Sequence, residues 1–198
     1  MAARIDSSLQ CHQEQSKEMM DRALWTELHG LFFGLFFLLA TYALVLECVR
    51  YSRHHPLPEN VAVWERVYLV GASMCGWLAV ITGTFVVYPW YRAPMVSGDI
   101  RLHPKFFLLA HAHTAPLHSI GMEWKEHVAL LAPLAFTAAA FVWTRCRVAL
   151  REERALRKGV LAFACVALLA TGIAGLTGAF LNKSAPVESS FPANVEGQ

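Results

Sequence analysis

Five of the chain's nine histidines fall within residues 103–127, HPKFFLLAHAHTAPLHSIGMEWKEH, with Glu123 and Glu126 near the end of the stretch. Imidazole and carboxylate are the usual ligands of iron, copper and zinc, and imidazole is also the common axial ligand of haem. His111 and His118 are seven residues apart and share a face if the stretch is helical; Glu123 and His127 are four apart and meet on one helix face. His111, His113, His118 and Glu123 are therefore candidate metal ligands, with His29 and Glu27 able to complete a mixed shell. The spacing matches no dedicated motif, neither HExxH nor a Glu-x-x-His repeated on two helices.

A second pairing crosses the chain. Trp25-Thr26-Glu27-Leu28-His29 and Trp124-Lys125-Glu126-His127 each open a long apolar run, and each run's hairpin partner later carries Thr-Gly-x-Phe, at Thr82–Phe85 and Thr177–Phe180. His29 and His127 each lie about one turn inside a tryptophan of the kind that marks a membrane interface. If their helices are diagonal in a bundle, the two imidazoles face each other at matched depth. Glycines such as Gly30 and Gly34 would let a flat ring approach, and Phe32, Phe33 and Phe36 would pack on it. This reading predicts a haem b held non-covalently between His29 and His127.

The elements that must position these residues are long apolar helices. Of the 198 residues, 56% are hydrophobic and only 16% charged, too apolar a balance for an average soluble domain. A hydrocarbon core of about 30 Å takes roughly 20 apolar residues per helix. Four segments reach that length, 24–49, 67–91, 124–144 and 159–181. The fold expected is an all-α integral membrane protein: a four-transmembrane-helix bundle with a long outer connection, 92–123, between helices two and three. Residues 1–23 read as a polar N-terminal tail and 182–198 as an extended C-terminal one. Pro104 can open a short helix over Lys105–Thr114, lying in the interface or dipping into the bilayer. Pro133 predicts a kink in the third span.

Charge speaks to topology. The net charge is only +2, and the basic residues cluster at span ends, which excludes nucleic acid as a partner class. Arg145, Arg147, Arg151, Arg154, Arg157 and Lys158 crowd into connection 145–158, which the positive-inside rule assigns to the cytoplasm. Both termini and the His-rich connection then face outward. No short apolar run with a cleavage site precedes the first span, and no CxxC or CxxCH occurs among the five cysteines, against a thiolate zinc site or covalent haem. No span carries a charge at its middle, which argues against an ion path.

The outline resembles small four-span membrane cytochromes of b type, in architecture and without a motif matched residue by residue. The function expected first is electron transfer in a membrane redox chain, with a quinol or an outer electron carrier as partner. A cofactor-free accessory subunit packed on other membrane subunits, and a non-haem His/Glu site for iron, copper or zinc, are the alternatives. In the accessory reading His29 and His127 are hydrogen-bonded packing residues.

Overall fold

The computed structural model describes residues 2–95, 100 and 103–185, with the backbone alone for residues 2–12, 15 and 19. Every regular element among the described residues is helical. Helix α1 runs Ala2–Ser52. Helix α2 is the segment Val63–Tyr91, α3 is Pro104–Ala110, and α4 is the segment Leu117–Arg145. Helices α5, Arg147–Glu152, and α6, Arg154–Ser184, complete the chain. Four helices, α1 (from Ser16), α2, α4 and α6, are long and apolar enough to cross a membrane.

These four form a ring in chain order: α1 packs on α2, α2 on α4, α4 on α6, and α6 closes back on α1. Helices α1 and α4 are therefore diagonal, as the pairing of His29 with His127 requires. What fills the diagonal is aromatic. The rings of Phe36 and Phe136 meet edge to face at 5.5 Å between centroids, both almost wholly buried. Small residues let the backbones close around them: Ala40 and Ala72 are fully buried, and Gly76 lies against Phe36 and Pro133.

Residues 2–23 of the polar N-terminal segment are helical and continuous with the first apolar run in α1. The third long helix also starts earlier than its apolar run predicts, at Leu117 rather than Trp124, because Pro116 supplies a helix start and residues 117–122 wind as a π-turn into Glu123–His127. His118 and Glu123 thus belong to α4 and not to a loop. Turn geometry interrupts α4 at 128–130, one turn before Pro133, whose missing N–H and ring disrupt the preceding turn. Helix α3 is shorter than expected and ends at His111, whose backbone is extended. It packs Leu108, fully buried, with Tyr91, Met122 and Leu181 across the His-rich end of the ring.

Candidate functional site

At the His-rich end, His29 turns toward α2. Its Nδ1–H donates to the carbonyl of Ala79 at 2.9 Å, with Thr82 Oγ1 at 3.4 Å. A carbonyl only accepts, so the proton sits on Nδ1, and Nε2 makes no hydrogen bond among the described residues. The ring lies flush on Gly83: a Cβ built there would stand 2.7 Å from Cε1. Gly83 also opens a π-turn, Gly83–Val87, a rare single-turn form within an α-helix.

His127 is placed otherwise. Its Nδ1–H donates to Glu123 O at 2.9 Å, Glu123 Oε2 stands 3.5 Å away, and the side chain is 72% exposed. The diagonal is present, but the two rings are held by different neighbours, His29 by α2 and His127 by its own helix. The remaining histidines are also separated. His111 donates to Phe107 O at 2.9 Å and is exposed, as is His113, while His118 is half-buried with its Nδ1 2.7 Å from Tyr91 Oη. Of the sequence's candidate ligands the structure brings together Glu123 and His127 alone, and among the described residues no three His, Cys, Asp or Glu side chains group as metal ligands. Cys48, Cys75, Cys146 and Cys165 are free thiols.

The glycine faces that could admit a flat ring receive the chain's own side chains. Phe36 covers Gly76, and Phe33 lies so close on Gly175 that a Cβ there would stand 2.6 Å from Cε1. Lys125 covers Gly178, its Nζ 3.1 Å from the position of a Cβ. His29 on Gly83 and Lys125 on Gly178 are equivalent pairs: in each half, the glycine of Thr-Gly-x-Phe is covered by a side chain from the long helix before it. Gly30 and Gly34, by contrast, have open space where a Cβ would stand and front no cradle. The glycine faces at the α1–α2, α1–α6 and α4–α6 contacts are thus occupied by the chain's own side chains.

Two polar groups escaped the sequence reading. Beside His118 and Tyr91, Glu126 accepts from Tyr88 Oη at 2.6 Å and pairs with Arg92 at 2.8 Å, tying α2 to α4. The larger group is at the Arg-rich end. Glu65, 1% exposed, accepts from Trp143 Nε1 at 2.9 Å and stands 3.4 Å from Arg147 and 3.5 Å from Arg50. Glu47, also buried, pairs with Arg50 at 2.6 Å and Arg157 at 3.2 Å. Arg147 and Arg157 continue to the backbone carbonyls of Pro58 and His55. Two carboxylates thereby meet three guanidinium groups, and the network joins all four long helices, reaching α4 through Trp143. A removed partner would strand a buried charge, so the network fixes how these helices stand relative to one another. The signal was available: Glu47 and Glu65 are acidic residues within a turn or so of apolar runs, facing an arginine-rich connection.

No protein-family model matches the chain, and no curated protein or solved structure matches it either.

Proposed function

We propose that the chain is a structural subunit of a membrane assembly that works without a cofactor: a self-filled four-helix block in the bilayer. The observation that carries the proposal is the closed interior. Gly76, Gly83, Gly175 and Gly178 are covered by Phe36, His29, Phe33 and Lys125, which leaves the surface as the working part. Helix α1 points the same way. At 1.5 Å per residue its 51 residues extend roughly 75 Å, more than twice the ~30 Å hydrocarbon core. Gln13, Glu14, Lys17, Glu18 and Met20 on its projecting part are exposed. An isolated helical arm is marginal in water, and a partner would stabilise it. The density of arginines over 145–158 supports a cytoplasmic position for that end and an outer one for the arm.

The test is native electrophoresis and native mass spectrometry of the chain extracted from its own membranes in mild detergent. The full chain is expected in an assembly with other membrane subunits, and deletion of residues 2–15 is expected to release the bundle as a folded monomer. A full chain that is monomeric under these conditions contradicts the subunit reading.

The haem reading keeps one specific observation. His29 uses Nδ1 on Ala79, and its Nε2 makes no hydrogen bond among the described residues, the arrangement that orients a ligating imidazole. It would require the ring to leave Gly83, and His127 to be replaced as the second ligand.

A further inference from the structure

We propose that the cavity at the Arg-rich end binds a phosphate-bearing anion. The cavity has a volume of about 510 Å³, within the range of small-ligand sites, and lies between the end of α1, α5 and the start of α6. His54 and His55 form its lip, Tyr51 its wall, and Arg151, Arg154 and Arg157 its charge; Glu152 is the one acidic residue lining it. The proposal stands independently of the structural-subunit reading.

The three arginines differ in how they are held. Arg157 is 9% exposed and anchored to Glu47 and to the His55 carbonyl, and its Nε has no hydrogen-bond partner among the described residues. It builds the floor. Arg151 reaches Glu59 at 3.4 Å, but Glu59 is itself 78% exposed, so the pair is screened and easily exchanged. Arg154 makes no ion pair among the described residues. Its guanidinium lies over the Tyr51 ring at 5.3 Å, and its Nη2 stands 3.3 Å from His54 Nδ1, which is also 3.3 Å from the Tyr51 carbonyl. A planar donor fork stacked on an aromatic wall is pre-organised for two phosphate oxygens.

The backbone adds to this. Arg154 is the first residue of α6, a 31-residue helix whose N-cap, Glu153, makes no side-chain cap. The positive end of that helix's dipole lies at Arg154, which lines the cavity, and favours an anion there. On the opposite side, two residues beyond the end of α1, His54 has φ 58°, and His55 N donates to Arg50 O and His54 N to Tyr51 O. Both histidines line the cavity. Phosphate is the shared chemistry, supplied either by the headgroup of an anionic phospholipid or by a soluble phosphate compound.

The experiment measures binding to the full chain in nonionic detergent, by native mass spectrometry and by the shift of the thermal midpoint. One arm adds inorganic phosphate against sodium chloride at equal ionic strength, the other phosphatidic acid against phosphatidylcholine in mixed micelles. A specific response to phosphatidic acid alone identifies a headgroup site; a response to phosphate as well identifies a soluble ligand. Either supports the proposal if Arg154→Gln weakens binding by about tenfold or more, as loss of a charge-assisted contact should, with Arg151→Gln weakening it less. Arg145→Gln, outside the cavity, should bind as the full chain does. Responses equal to the chloride and phosphatidylcholine controls, or undiminished binding by Arg154→Gln, overturn it.

Discussion

The imidazole of His29 and the missing side chain of Gly83 are complementary: the ring occupies the space where a Cβ would stand, 2.7 Å from Cε1, while Nδ1 donates to Ala79 one turn earlier on the same helix. A residue that reads as a candidate axial ligand is thus a knob fitted to a glycine hole between α1 and α2. Substituting Gly83→Ala should lower stability by about 1–3 kcal/mol through overpacking. His29→Ala should recover much of that loss in the double variant, because the clash is then gone. Thermal unfolding of the two single variants and the double variant in detergent measures the coupling; strictly additive losses would show that the contact carries no weight.

The buried network makes a sharper contrast. Glu65→Ala strands Arg147 among buried groups and should cost about 3–5 kcal/mol, whereas Glu59→Ala, at an exposed pair with Arg151, should cost about 1 kcal/mol or less. Denaturation midpoints of both variants decide this, and equal losses would mean that water reaches the network.

His127→Ala and Glu123→Ala should each change stability by about 0.5 kcal/mol or less, since both side chains are exposed and bond mainly within their own helical turn. A large loss in either would place His127 in a contact outside this chain.

Tyr91→Phe removes the 2.7 Å contact to His118 at the His-rich end and should cost about 1 kcal/mol. Hydrogen exchange should quicken locally, over α3 and residues 117–122, and stay unchanged near Glu65. Uniform quickening would show that the two ends are not independent.

The architecture was legible because it follows from apolar run lengths alone. The four apolar runs correspond to the four long helices, whereas the diagonal relation of the first and third, only a condition in the sequence, comes from the packing. Boundaries were less legible. The extension of α1 to Ala2 and of α4 to Leu117 depends on helical hydrogen bonding, which polar residues satisfy as well as apolar ones. The spacing from Trp25 sets how far along α1 His29 stands, but not the rotation about the helix axis. That rotation is set by contacts: His29 falls toward Gly83, and His127 falls outside. The echo of Thr-Gly-x-Phe carried more information than the histidines, since both its glycines are covered from the helix before them. Glu47 and Glu65 were passed over because each lies at the end of an apolar run, where a charge costs little; only the fold shows them buried and facing Arg147 and Arg157.

The central claim is that the chain's own side chains fill the space between α1 and α4. The most direct measurement is a reduced-minus-oxidised visible spectrum of the protein purified from its own membranes, with iron, copper and zinc determined on the same sample. The account predicts no α-band and metal well below one atom per chain. A sharp α-band with stoichiometric iron, lost in His29→Ala, would contradict it.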